Sequence, residues 1–261
     1  MTGRTDSFGA GWYDVFVLKF DTAGNLLWSK TWGGNSYDEG HDIAFDASGN
    51  VLIAAEAYSY NPSGTGSSSA TILKFSPDGD LLWSRVLGAD AVGGPTYNGG
   101  CSLDVDSSGN IYESGINWDY RVSPNHNSIF VVKFDSSGNF LWNRNWAGSG
   151  EDETDGAKTV RVDVSGNVYL AGRTVSQQCA SGCDFDVLLL KLDTSGNLVW
   201  SRTWKPDTGY DTAISLAFDA NGNLVLTGAK DESGPTATDS RGIYPVVSSG
   251  FFDLRSNPND T

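Results

Sequence analysis

The chain has 261 residues, with 32 acidic against 17 basic side chains, and its net charge of −15 repels nucleic-acid phosphates and the anionic face of a membrane. No apolar run approaches the roughly 18 residues of a membrane span. Hydrophobic residues at 39%, with nine Trp, ten Tyr and twelve Phe, exclude a disordered chain and leave neutral glycans, basic protein surfaces or cations as ligands.

In chain order, Met1-Thr2-Gly3-Arg4 is followed by no apolar stretch of a secretion signal, so the expectation is that a signal was removed or that the chain was cut from something longer. Val15–Phe20 then reads as a strand, followed by Asp21-Thr22-Ala23-Gly24-Asn25 and a second apolar run into Trp28. Asp-x-x-Gly-Asn suits a short hairpin loop: Asp caps the turn with its side chain and Gly takes the positive φ. The next such loop, Asp46–Asn50, precedes the strand Val51-Leu52-Ile53-Ala54.

The whole pattern then recurs. Trp28, Trp83, Trp142 and Trp200 are spaced by 55, 59 and 58 residues, and the second loop returns at 106–110, 163–167 and 219–223. Each unit therefore holds two hairpins, hence four strands, over units of about 14–69, 70–127, 128–185 and 186–250. The predicted fold is an all-β, single-domain β-propeller of four-stranded antiparallel blades. Thr2–Thr5 matches Ala171–Thr174, so the repeat begins inside a unit, and complete blades are expected at about 41–88, 101–147 and 157–205. A fourth would form if strands near 213–229 paired with those near 14–32, unless the chain is a fragment of a larger propeller.

Several constellations invite a chemical reading. Alternation puts Leu26, Trp28, Lys30 and Trp32 on one strand face, and Arg85, Arg144 and Arg202 stand beside the Trp of the other units. Four near-equivalent copies favour blade-to-blade packing over an exposed platform for sugar rings. Lys19, Lys74, Lys133 and Lys191 also recur, as do Asp38, Asn98, Asp155 and Asp211, which suggests a Lys to Asp or Asn contact within each unit.

Catalytic sets are scarce, because His41 and His126 are the only histidines. Glu151, Asp152 and Asp155 crowd one polar loop, read as solvated with a Ca²⁺ site as the next reading; no other cofactor is expected. Cys179 and Cys183, four positions apart, suit a local disulfide in an oxidising compartment better than half of a metal site, and Cys101 reads as a buried thiol. The units differ most in their long connections, 58–69, 119–127, 176–184 and 231–250, and loops on a rigid frame are the usual carriers of recognition. Tyr58, Tyr60, Trp118 and Tyr120 at their edges are the candidate ligand-stacking residues.

As whole motifs, Asp14-Val15-Phe16-Val17-Leu18-Lys19-Phe20, Gly24-Asn25-Leu26-Leu27-Trp28, Trp32-Gly33-Gly34 and Gly166-Asn167-Val168-Tyr169-Leu170-Ala171-Gly172 resemble the SBBP family of β-propeller repeats. The resemblance implies a secreted or surface protein of bacteria or archaea, with a propeller nominally of seven blades. Its shared residues are turns and packing positions, not a catalytic set. The expected function is thus a non-enzymatic extracellular binding or assembly module that presents variable loops to a glycan or protein partner. The alternatives are a glycan-directed hydrolase or lyase with carboxylates in the central channel, and a structural surface subunit that pairs with its own copies.

Overall fold

The computed structural model describes residues 1–60, 68–87, 97–119, 126–146, 159–175, 185–204 and 211–230, with side chains except at 97–101, 118–119, 126–127, 175 and 230. All regular structure in it is β. The strands are β1 (Thr2–Thr5), β2 (Asp14–Phe20), β3 (Leu26–Trp32), β4 (Asp38–Phe45), β5 (Val51–Ala57), β6 (Ser69–Phe75), β7 (Leu81–Val86), β8 (Tyr97–Val105) and β9 (Ile111–Asp119). There follow β10 (His126–Phe134), β11 (Phe140–Trp146), β12 (Thr159–Val162), β13 (Val168–Val175), β14 (Phe185–Leu192), β15 (Leu198–Trp204), β16 (Asp211–Phe218) and β17 (Leu224–Lys230).

Three sheets are complete antiparallel blades, β4-β5-β6-β7, β8-β9-β10-β11 and β12-β13-β14-β15, flanked by a three-stranded β1-β2-β3 and a two-stranded β16-β17. They pack face to face in chain order, so the fold is propeller-like and its blades straddle the sequence units as expected. The closing pairing does not form among the described strands: β1, not β17, lies beside β2, in the register Thr2↔Val17 to Thr5↔Asp14. Thr2–Thr5 is the repeat equivalent of Ala171–Thr174 in the second half of β13, and a strand a few residues away closes a far shorter loop than one two hundred residues distant.

Four apolar layers between successive blades form the core. Val15 and Val17 meet Ile53 and Leu73; Leu52 and Ile72 meet Ile111 and Phe130; Tyr112 and Val131 meet Leu170 and Leu188; Leu189 meets Leu216. Middle strands are therefore buried on both faces, every residue of β6 included, which is why they read as continuous apolar runs. The fourth strands β3, β7, β11 and β15 are half exposed.

The recurring Trp–cation pairs hold neighbouring blades together, as their repetition suggested. Trp28 Nε1 and Lys19 Nζ both donate to Pro77 O, at 3.0 and 2.7 Å, in the β6–β7 turn of the next blade. Arg85 Nε donates to Gly138 O at 2.8 Å and lies 5.1 Å over the Trp83 ring, and Arg144 Nη2 donates to Ser195 O at 2.8 Å beside Trp142. Glycine in these turns is required twice over: Gly138 stands at φ +77°, and a Cβ there would lie 3.2 Å from the Trp83 ring.

The lysine reading needs correction. Lys74 pairs with the turn residue Asp46 at 2.8 Å and Ser136 O at 3.0 Å, while Asp38 accepts from Gly34 N, Ser59 N and Ser59 Oγ. Lys74 leaves the middle of the sheet toward the turn end, whereas Asp38 opens β4 at the opposite end of the blade. On the first strands, Asp42 accepts from Ser102 Oγ and Leu103 N, and Asp104 from Val162 N, so each ties one blade to the next.

The Asp-x-x-Gly-Asn loops are self-contained. Asp106 Oδ1 accepts from Ser108 N and Asn110 N, both at 2.9 Å, while Oδ2 accepts from Asn110 Nδ2 at 2.8 Å and Tyr112 Oη at 3.0 Å. Burial pushes its carboxyl up, but these donors outweigh it and hold the group below the usual 3.8. A depressed carboxylate contributes stability above its unfolded pKa that is lost as pH falls through the folded one. The advantage of the native chain over Asp106→Ala in urea midpoint is therefore expected to shrink between about pH 5 and pH 2. A gap independent of pH would show that the charge does not hold the turn.

Candidate functional site

At the end of the first two sheets opposite these turns, the connection before β2 crosses the start of β4. Tyr13 and Tyr37 form a parallel bridge, Asp38 N donates to Tyr13 O at 2.8 Å, and Tyr58 N donates to Tyr37 O at 2.9 Å. These backbone bonds gather four aromatic rings. Tyr13 stacks on Tyr37 with centroids 5.2 Å apart, Trp12 leans on Tyr37 at 5.4 Å, and Tyr58 meets it edge-on at 6.2 Å. Trp12 is 67% exposed and Tyr37 39%, so apolar ring surface faces solvent here.

Arg4, Tyr13, Tyr37, Asp38, Glu39, Glu56 and Tyr58 line a pocket of about 390 Å³, within the range of small-ligand sites. Arg4 lies 5.0 Å over the Tyr13 ring and pairs with Glu39 at 2.8 Å. Glu56, directly opposite Glu39 in the β4–β5 ladder, lies 3.5 Å from His41 Nε2. Like charges opposed across strands repel, and the guanidinium of Arg4 beside Glu39 offsets that repulsion. Asp38 is fully buried and engaged by its three donors, so it braces the pocket wall. The arrangement offers flat rings for stacking, with a guanidinium and carboxylates at the rim for hydroxyl groups.

Of the residues singled out from sequence, Tyr58 lines the pocket, whereas Tyr60 does not: its ring lies tilted against Trp32 at 4.9 Å and its hydroxyl donates to Gly33 O at 2.9 Å. Trp118 lies on β9 and Cys101 on β8, with their side chains outside the described residues. Tyr120, Glu151, Asp152, Asp155, Cys179 and Cys183 lie outside the described residues altogether. Trp12, Tyr37, Glu39 and Glu56 were not singled out. A signal was present: Glu56 stands where the other units carry Ile116, Arg173 and Ala229, so it departs from the repeat.

No family model matches the chain, and no curated protein matches it. Among solved structures it is similar to a protein of unknown function from Bacteroides caccae, with 15% identity over 90% of this chain and 70% of that one and a TM-score of 0.47. A protein of unknown function from Dyadobacter fermentans gives 12% identity over 85% and 71%, with a TM-score of 0.49. A mannose phosphorylase from Leishmania mexicana gives 11% over 85% and 72%, with a TM-score of 0.42.

Proposed function

We propose that this chain is a non-enzymatic extracellular binding module of the SBBP type, whose aromatic pocket takes a neutral glycan. The observation that carries the reading is the cluster of Tyr13, Tyr37 and Tyr58 lining a pocket with Arg4, Glu39 and Glu56, with Trp12 against Tyr37. Aromatic faces suit the apolar faces of sugar rings, and charged groups fixed at the rim suit their hydroxyls. The net charge of −15 favours neutral over acidic glycans.

Isothermal titration with a panel of neutral oligosaccharides tests it. A saturable ligand is expected, and Tyr37→Ala is expected to weaken it by about tenfold or more through lost stacking. A ligand bound equally by the variant, or no binding across the panel, would oppose the reading. Glu39 directly opposite Glu56 favours a second reading, a glycan hydrolase with two carboxylates across a bond. In that case Glu39→Gln and Glu56→Gln abolish release of reducing ends while binding persists.

A further inference from the structure

The pocket already holds one cation. The Arg4 guanidinium lies 5.0 Å over the Tyr13 ring while its Nη1 pairs with Glu39 Oε2 at 2.8 Å, so a positive group is fixed between an aromatic face and a carboxylate. The face of an aromatic ring attracts positive charge, and a carboxylate beside it adds to the attraction. Both elements recur on the other side of the pocket. Glu56 stands directly opposite Glu39 in the β4–β5 ladder, and Tyr58, two residues further on, meets Tyr37 edge-on with centroids 6.2 Å apart. The described lining thus brings Asp38, Glu39 and Glu56 together with the guanidinium of Arg4. His41 Nε2, 3.5 Å from Glu56, adds positive charge only when protonated.

We propose that, among glycans, this pocket prefers a sugar ring that bears a protonated amine in place of one hydroxyl, with the ammonium set between Tyr37, Tyr58 and Glu56. The inference rests on the glycan reading and deepens it. A neutral ring binds by stacking and by hydroxyl contacts at the rim, and the ammonium adds a cation–π contact and a charge-assisted hydrogen bond. It also sets a positive charge beside Glu56, and so relieves the repulsion between two carboxylates opposed across the ladder. The net charge of −15 works in the same direction, since it raises the concentration of cations at the surface.

The test is titration calorimetry on the full chain with glucose, N-acetylglucosamine and glucosamine trisaccharides of identical linkage, at about pH 7, where such an amine is mostly protonated. The glucosamine form is expected to bind about tenfold more tightly than the glucose form, the size of a partly desolvated cation–π contact. The N-acetylated form keeps the bulk without the charge and is expected to lack that advantage. Glu56→Gln is expected to reduce the ratio of glucosamine to glucose affinity to about twofold. Asp78→Asn removes the same charge from an exposed turn at the opposite end of the blade, and is expected to keep the ratio at about tenfold. Equal affinity for the three sugars would overturn the inference and leave the glycan reading standing. A ratio that Glu56→Gln does not change, or that Asp78→Asn lowers equally, would overturn it in the same way, because the preference would then arise outside the pocket. No binding of any of the three would overturn both readings. Far-ultraviolet circular dichroism establishes that each variant is folded.

Discussion

Replacing Trp83 with alanine is expected to destabilise the chain by about 3 kcal/mol, read as a lower urea midpoint, because one side chain serves two blades. Its ring packs on the layer built by Leu52, Ile72, Ile111 and Phe130, and its outer face covers Gly138 of the next blade. Arg85 lies 5.1 Å over the ring, and Lys74 5.9 Å. Truncation would open a cavity between sheets and leave both cations without their aromatic face. A loss below about 1 kcal/mol would mean that the ring does not hold the two blades together.

Glu113→Ile is expected to stabilise the chain by about 2 kcal/mol at neutral pH, raising Tm by roughly 5 °C. The repeat places Ile53, Leu170 and Leu226 where the second complete blade carries Glu113. Its side chain is fully buried on the face toward the preceding blade, and neither oxygen has a hydrogen-bond partner. The backbone of Thr71 approaches without a hydrogen bond of good geometry, so burial dominates and pushes the carboxyl well above 4.5. A raised acid stays protonated in the folded chain while the unfolded chain ionises, so stability is fully present below about 4.5 and declines as pH rises toward the folded value. The gain from Glu113→Ile should accordingly be largest near pH 7 and narrow near pH 4. A gain that stays constant with pH, or a loss, would show that the carboxylate is accommodated in its charged form.

The propeller-like architecture was legible because its determinants are local and repeated. Asp-x-x-Gly-Asn encodes a turn through its own side chain, and alternating apolar runs around it leave little choice but hairpins. Even the Trp ladder could be assigned to packing, on the argument that a scaffold need recurs in every blade. The place of β1 was written in the match of Thr2–Thr5 to Ala171–Thr174, yet the partner expected for the strands near 14–32 was the run near 213–229 at the far end of the chain. Sequence likeness identifies a repeat position without saying which copy fills it. The pocket was less legible, since Tyr13, Tyr37 and Tyr58 meet only through backbone bonds between three separate connections. Tyr58 was found as the edge of a variable loop, whereas Glu39 and Glu56 become neighbours only once β4 and β5 are in register.

The central claim, a glycan on the aromatic pocket, is tested most directly by a crystal structure of the chain with a neutral oligosaccharide. A sugar ring stacked on Tyr37 or Trp12, with hydroxyls bonded to Arg4, Glu39 or Glu56, is the predicted result. A saccharide seated elsewhere on the chain, with this pocket holding only solvent, would contradict it.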